Sequence, residues 1–332
     1  MSALRSFKRR LSIVMPTADY RVKYFRQCLR HLNDEGFDGD LLVLDFGKSR
    51  LDQQDLWSAR DRFTVRYFYY GPDVPYFERM QHGAAQVDTP FTLFYPDDDF
   101  MFFDVMERCV DLLENDSTYS VAQGKALRFV DEKRPIRFQP YQKLPLEDDS
   151  PFTRFLRFCK SYNHHIYVVQ RRESFLRKMK LGERFSDDGM FWQYYDSAAS
   201  VIEGKTKVFP SLGMVRRIHN LGLGLQQAES RDMKAFPYLL LADDFTDKFR
   251  FFRQQLLSLL TEAGVVLDER QTQQFEDACI NLVRWGISMQ RGDESDRKFV
   301  PQMIKTVPEE AAKLRRIIEC MNSDVAPEGA SS

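Results

Sequence analysis

The sequence predicts an α/β protein: a doubly wound, mostly parallel sheet flanked by helices and followed by a C-terminal helical appendage. Short apolar runs alternate with stretches of helical periodicity through the first two-thirds of the chain. Such alternation indicates parallel strands joined by right-handed helical crossovers. After residue 237 helical periodicity continues and strand-like runs stop. Three consecutive aspartates directly follow one of the apolar runs, where open α/β sheets bind their ligands.

Each predicted strand is a mostly apolar run, and Pro, Gly or Asp ends most of them. The first run, Leu11 to Met15, is closed by Pro16, and the helix after it places Tyr24 and Phe25 on its apolar face. The predicted strands are residues 11–15, 40–45, 65–70, 91–95, 119–129, 164–170, 207–209 and 214–219, and the predicted helices are residues 20–33, 51–62, 77–87, 103–114, 152–160 and 188–200.

The C-terminal third contains three apolar stripes at helical spacing, in residues 245–260, 275–285 and 311–318. We therefore predict a sheet domain over residues 1–236, a helical domain over 237–322 and a disordered tail over 323–332. The helical domain could form a homodimer, contact a membrane surface peripherally or contribute to a substrate site, and the sequence leaves these alternatives open.

Composition limits the class of protein. The chain has 332 residues and a formal net charge of -1, which argues against a general nucleic-acid-binding protein. Its five cysteines are scattered without a CxxC pair and are expected to be reduced and mostly buried, as in a cytoplasmic protein. No apolar stretch approaches the length of a membrane span, and the basic N-terminus lacks the apolar core of a secretory signal.

The aspartate triplet, Asp97, Asp98 and Asp99, follows the predicted strand 91–95. Adjacent carboxylates repel one another, so the arrangement costs free energy unless a cation or hydrogen bonds compensate it. A divalent metal that bridges to a phosphate would compensate the charge, because carboxylate oxygens suit Mg²⁺ and Mn²⁺. The alternative is a solvated turn in which Asp99 caps the helix that begins near Phe102.

Other polar residues also follow predicted strands. Thr17 and Arg21 follow the first strand, Asp45 ends the second and His219 follows the last. Carboxyl ends of parallel strands meet at one edge of a sheet, so we expect these residues to gather around the triplet. Such an edge could hold a nucleoside near Thr17 and Asp45, and its diphosphate with a metal near the triplet and His219.

Six segments resemble, in order, motifs of GT-A fold glycosyltransferases, close to the inverting enzymes of family two. They resemble the first strand with its proline–threonine turn, the second strand, the strand with the DxD motif, a strand with an arginine turn, the acidic pair and the late strand with its histidine. The segments are LSIVMPTADYR (11–21), LLVLDFGKS (41–49), VDTPFTLFYPDDDF (87–100), IYVVQRRESF (166–175), FSDDGMFWQYY (185–195) and VRRIHNLGLG (215–224), which cover roughly residues 10 to 225.

The resemblance implies roles for these residues. Asp97 and Asp99 would be the DxD carboxylates, with Asp99 the direct ligand of Mn²⁺ or Mg²⁺ and Asp98 close to the ribose or the sugar. His219 would complete the metal site. Asp188 would be the general base, although Asp187-Asp188 replaces the usual Glu-Asp pair and leaves the choice between the two open.

The donor and the acceptor follow from the same resemblance. In relatives the aspartate at position Asp45 favours uracil, which implies a UDP-sugar donor, although the second strand ends in DFG where many relatives have two acids. Arg79 would line the sugar pocket or pack within its helix. The acceptor would be the hydroxyl of a glycan, a lipid-linked molecule or another compound, recognised by residues 131–150 and 152–162. The enzyme would be cytoplasmic or peripheral at the inner face of the membrane.

Three alternatives compete with this interpretation. A sugar nucleotidyltransferase would carry a glycine-rich basic loop after the first strand. Residues 16–21, which follow the first strand of this chain, contain no glycine. A dinucleotide-dependent oxidoreductase would carry GxGxxG there. An inactive GT-A-like binding or scaffold protein stays open, although the acids and the histidine are all present.

His164 and His165, at the start of a predicted strand, are interpreted as structural.

Overall fold

The structure, a computed structural model, describes residues 6–52, 62–131, 136–141, 143–185, 189–219, 245–290 and 308–322. Several sequence predictions lie outside these ranges. They are most of the predicted helix 51–62, the candidate bases Asp187 and Asp188, the domain boundary at 236/237 and the tail 323–332.

The described strands form one sheet in the order β3-β2-β1-β4-β8-β6-β9-β5, with β7 beside β6. Strands β1 to β4, β6 and β9 run in one direction, whereas β5, β7 and β8 run in the other. The prediction of a mostly parallel sheet is therefore confirmed. The strands are β1 Leu11–Thr17, β2 Asp40–Asp45, β3 Thr64–Tyr69, β4 Phe91–Phe94, β5 Phe100–Met101, β6 Tyr119–Val130, β7 Gln139–Tyr141, β8 Val169–Arg171 and β9 Lys205–Ile218.

Helices cover both faces of the sheet. The layer with α1 and α3 lies on one face, and the layer with α2, α4, α5 and α6 lies on the other. The helices are α1 Val22–Asp34, α2 Tyr76–Ala85, α3 Phe103–Asn115, α4 Pro151–Lys160, α5 Arg172–Phe185, α6 Gly189–Glu203, α7 Phe245–Glu262, α8 Glu269–Gln290 and α9 Pro308–Asn322.

The central strands are continuous apolar runs because both of their faces are covered. Along β1, Ile13 packs in the layer with α1 and Val14 packs in the opposite layer. Along β2, Leu41 and Leu42 divide in the same way. Successive side chains of a strand point to opposite faces, so a strand buried on both sides needs apolar residues at every position.

Some elements differ from the prediction. The predicted strand 164–170 is reduced to β8, which runs antiparallel between β4 and β6. Its chain segment reaches the sheet at the carboxyl edge, where His164 lies beside Arg216 of β9, so the strand that follows must run back. Helix α5 and strands β5 and β7 were not predicted. Helix α3 has Phe102 at its N-cap, so the interpretation of Asp99 as the cap is wrong.

The described C-terminal helices contact the rest of the chain in two separate places. Helix α7 packs on α6, and α8 packs on α4, where the rings of Phe155 and Phe275 lie 5.4 Å apart. Helix α9 packs instead on α1, and Lys313 donates to Asp104 at the start of α3 over 2.7 Å. A separate helical domain over residues 237–322 stays a prediction.

All five cysteines are buried, and none of them forms a disulfide bond with another described residue, as expected. Within the described residues, no helix is both long enough and apolar enough to cross a membrane.

Candidate functional site

The aspartate triplet occupies a tight turn at the carboxyl edge of the sheet. Because β1, β2, β4 and β9 run in the same direction, the residues that follow them meet at this edge. Tyr95 lies fully buried beneath the turn, where its hydroxyl donates to the carbonyl of Asp99 over 3.2 Å and accepts from the amide of Met101 over 3.1 Å. One aromatic side chain thus joins both ends of the turn.

Asp97 is paired with a buried arginine. Arg21 donates from Nη2 to Oδ1 of Asp97 over 2.5 Å and from Nε to the same oxygen over 2.9 Å. The hydroxyl of Thr17 donates to Oδ2 over 2.6 Å. Burial raises the pKa of Asp97, and the charge of Arg21 opposes that rise. The first strand's turn therefore supplies the cation that the buried carboxylate needs.

Asp98 is paired with the predicted histidine. Nε2 of His219 lies 2.7 Å from Oδ2 of Asp98, and Nη2 of Arg21 lies 3.0 Å from the same carboxylate. Burial acts to raise the pKa of Asp98, but the hydrogen bond with His219 and the charge of Arg21 outweigh it, so the pKa is lowered to about 2. The ring of Tyr24 stacks on His219 with ring centres 4.5 Å apart, which fixes the imidazole in place.

Asp99 faces the backbone of β9. Its Oδ1 accepts from the amide of Arg217 over 2.9 Å, and the residue is 2% exposed. Burial, together with the neighbouring charge of Asp98, raises the pKa of Asp99 well above its usual range. This aspartate ties the turn to β9.

Protein groups contact all three carboxylates of the triplet, and the metal ion expected from the sequence stays a prediction. Arg21, His219 and the amide of Arg217 already contact the three carboxylates. Among the described residues, no group of three or more Asp, Glu, His or Cys side chains could hold a metal ion. Asp98 and His219 supply two donors of suitable chemistry. Mg²⁺ commonly takes only one or two protein carboxylates and completes its shell with phosphates and water, so the Asp98 carboxylate meets that need, with the His219 nitrogen beside it as a further donor.

Asp45 and Arg79 hold neighbouring loops. Asp45 is fully buried, and its carboxylate accepts from the amides of Gly47 and Leu51 and from the hydroxyl of Tyr67. Arg79 donates to the carbonyl of Gly71 over 3.0 Å, and its guanidinium lies 4.2 Å from the ring centre of Phe46. These contacts stabilise the loops after β2 and β3.

Asp45 nevertheless lies beside Thr17 in the pairing of β1 with β2, which places it next to the triplet's partners. The nucleotide-binding roles of Asp45 and Arg79 stay predictions.

The candidate bases Asp187 and Asp188 lie between α5, which ends at Phe185, and α6, which begins at Gly189. The two helices are joined by a buried ion pair in which Nζ of Lys178 lies 3.1 Å from Oδ1 of Asp196. Nε1 of Trp192 also donates to the carbonyl of Lys178 over 3.2 Å. The helices on either side of the acidic pair are therefore held together firmly.

The roles of Tyr24 and of the two arginines before His219 were not predicted from the sequence. Tyr24 was placed on the apolar face of its helix, yet its ring lies between His219 and the guanidinium of Arg217, which is 4.6 Å from the ring centre. Tyr24 is three positions after Arg21, about one helical turn, and this spacing was the available signal. Arg216 points away from this stack, towards Tyr141 and Tyr167.

No protein-family model matches the chain, and no curated protein matches it. Solved structures of Staphylococcus aureus TarS are similar in fold. The crystal structure of TarS 1–349 is 13% identical, with a TM-score of 0.53, and the match covers 95% of this chain and 81% of that one. The same fragment in complex with UDP-GlcNAc is 12% identical, with a TM-score of 0.56 and coverages of 96% and 82%.

A third structure, TarS 1–349 in complex with UDP, is 12% identical with a TM-score of 0.51, and covers 95% of this chain and 81% of that one. At such identities the likeness shows the fold, and it agrees with the predicted α/β architecture.

Proposed function

We propose that this protein is a glycosyltransferase that moves a sugar from a nucleotide-diphosphate donor, a UDP-sugar, to an acceptor hydroxyl. The observation that carries the proposal is the pairing of Asp98 with His219, beside Arg21, at the carboxyl edge of the sheet. Residues from three strand ends converge there, as the resemblance to GT-A enzymes implies. The fold likeness to structures solved with UDP-GlcNAc and UDP supports the same choice of donor.

The donor diphosphate would lie against the Asp98–His219 pair. These two side chains would hold Mn²⁺ or Mg²⁺, which supplies Lewis-acid neutralisation of the departing diphosphate. Arg21 keeps Asp97 and Asp98 in place through contacts of 2.5 and 3.0 Å, and Tyr24 holds the imidazole by stacking. Asp99 anchors the turn to β9 in this arrangement, so we assign the metal contact to Asp98 rather than to Asp99.

The transfer would be a single displacement with inversion. The acceptor hydroxyl oxygen forms a bond to the anomeric carbon as the bond from that carbon to the diphosphate oxygen breaks. Asp188, or its neighbour Asp187, takes the hydroxyl proton, and the electron pair of the broken bond leaves with the nucleoside diphosphate. A carboxylate is a weak base at neutral pH, so it acts chiefly by its position and hydrogen bonding.

The test separates binding from turnover. Asp188→Asn is expected to retain UDP affinity and to lower the rate of UDP release from UDP-GlcNAc or UDP-glucose with Mn²⁺ by about 100-fold or more. Asp187→Asn is the matched variant, because the residue beside the base should have a smaller effect on the rate. Equal loss of UDP affinity in both variants would contradict this division of roles.

A further inference from the structure

A second group of polar side chains lies on the other face of β9, and we name it the basic cluster. Arg216 and Arg217 are successive strand residues, so their side chains point to opposite faces. Arg217 faces Tyr24 and the side of His219, whereas Arg216 faces the second group. The basic cluster consists of Tyr141, Lys143, His164, Tyr167 and Arg216.

Arg216 fixes the proton position of His164. Nη1 of Arg216 lies 2.7 Å from Nε2 of the imidazole and also donates to the hydroxyl of Tyr141 over 3.1 Å. A guanidinium can only donate, so Nε2 accepts and the neutral ring carries its proton on Nδ1. Burial lowers the pKa of His164 well below its usual value, which keeps the ring neutral. Nδ1 of His164 has no hydrogen-bond partner among the described residues.

Lys143 reaches the same histidine from another segment. Its ammonium donates to the carbonyl of His164 over 3.1 Å and lies 4.9 Å from the ring centre of Tyr141. Burial, with the nearby charge of Arg216, lowers the pKa of Lys143 to about 7. Two basic side chains thus converge on one histidine.

The cations of the basic cluster have no protein anion to pair with among the described residues. Within the described part of the chain, neither Lys143 nor Arg216 has a carboxylate within ion-pair distance. Burying hydrogen-bond donors and cations without partners costs free energy, and the binding of an anion would offset that cost. Arg216, Lys143 and Tyr141 each keep part of their surface exposed.

We propose that the basic cluster binds an anionic group, a phosphate or a carboxylate, on the acceptor of the reaction. This inference rests on the proposed glycosyltransferase function. The donor diphosphate is assigned to the Asp98–His219 pair, so the cluster is a separate anion site nearby. Asp99 acts electrostatically on both Lys143 and Arg216, which places the cluster next to the triplet turn.

Two features favour the acceptor as the source of the anion. Tyr141 and Lys143 belong to the segment between β6 and α4, outside the strand ends that form the donor edge. The aromatic faces of Tyr141 and Tyr167, beside Arg216, could also pack against a sugar ring. An acceptor built from anionic sugar units would use both properties.

The test is a ligand-observed NMR titration in metal-free buffer with glycerol 3-phosphate and with glucuronate, alongside the neutral compounds glycerol and glucose. We expect saturable binding of at least one anionic probe and none of the neutral ones. Lys143→Met and Tyr141→Phe should each weaken anion binding, the lysine variant by about tenfold or more, as for loss of one charge-assisted hydrogen bond. Preference between the two probes identifies the anion as a phosphate or a carboxylate.

Lys207→Met is the matched control, because Lys207 lies on β9, as Arg216 does, but is paired with Glu147 over 3.1 Å. This variant should bind the probes as the wild type does. Melting temperatures of all variants verify folding. Equal binding of neutral and anionic probes, unchanged binding in Lys143→Met, or no binding to the wild type would overturn the proposal. A UDP titration of the wild type reports on the proposed function independently, because the probes contain no nucleotide.

Discussion

The aspartate triplet and the basic cluster lie close together around β9, yet their charges are matched in opposite ways. Every carboxylate of the triplet contacts a protein cation or a backbone amide, with Arg21 serving two of them. In the basic cluster, Lys143 and Arg216 contact a carbonyl, a hydroxyl and an imidazole, without a carboxylate within ion-pair distance among the described residues.

The aspartate triplet is therefore part of what stabilises the fold, whereas the basic cluster is suited to binding a ligand. A buried ion pair is strongly destabilised when one partner is removed, because the other charge is left without compensation. A half-buried cation without a counter-ion already pays part of its desolvation cost in the free protein, so removing it costs little. The triplet should therefore be sensitive to mutation in stability, and the basic cluster chiefly in binding.

The largest effect is expected for Arg21→Met. This change leaves Asp97 fully buried without its cation and should lower the free energy of unfolding by about 3–5 kcal/mol, measured by urea denaturation at pH 7. Arg250→Met is the control, because its pair with Asp247 is largely exposed and such pairs contribute about 0–1 kcal/mol. Similar losses of unfolding free energy in the two variants would contradict the role of Arg21 as the cation that compensates a buried carboxylate.

The next largest effect is expected for the affinity of the protein for the donor nucleotide. Asp98→Asn should weaken UDP binding in the presence of Mn²⁺ by about 10- to 100-fold, because the carboxylate paired with His219 would lose its charge. Asp88→Asn is the control, since Asp88 is an exposed partner of Arg66 at the opposite edge of the sheet. Calorimetric titration measures both variants. Unchanged affinity in Asp98→Asn would place the donor elsewhere.

The last prediction is a pH dependence of the difference in stability between Lys143→Met and the wild type. The pKa of Lys143 is lowered to about 7 in the folded protein, while the unfolded chain keeps the ordinary value near 10.5. The unfolded state therefore binds more protons between these values, and the wild type gains stability as pH rises through that window. The groups that face the ammonium are Arg216, Asp99, Tyr141 and His164.

Urea denaturation at pH 6 and pH 10 checks this prediction. The free energy of unfolding of Lys143→Met, relative to that of the wild type, should be highest at pH 6, where the buried lysine of the wild type is charged. This difference should decrease by pH 10. A difference between the two proteins that does not change with pH would contradict the lowered pKa.

The sequence was sufficient to predict the sheet and the gathering of Thr17, Arg21 and the triplet, because parallel strands place their carboxyl ends at one edge. It also predicted His219 close to the triplet. It could not predict that Asp98, rather than Asp99, faces the histidine, since adjacent residues of a turn differ only in where their side chains point. Local backbone geometry decides that.

The basic cluster was beyond sequence reasoning for another reason. Lys143, His164 and Arg216 come from three distant segments, and they meet because β8 runs antiparallel between β4 and β6. The apolar run before Gln170 predicted a strand but not its direction. That direction depends on where the chain re-enters the sheet, which is a tertiary property.

The first measurement to make on the proposed donor site is a calorimetric titration of the wild-type protein with UDP, with and without Mn²⁺. We expect one saturable site whose affinity falls by about tenfold or more when the metal is removed, because Asp98 and His219 would hold the ion against the diphosphate. Absence of UDP binding under both conditions, repeated with GDP, CMP and dTDP, would contradict the proposed donor site and favour a binding or scaffold protein on this fold.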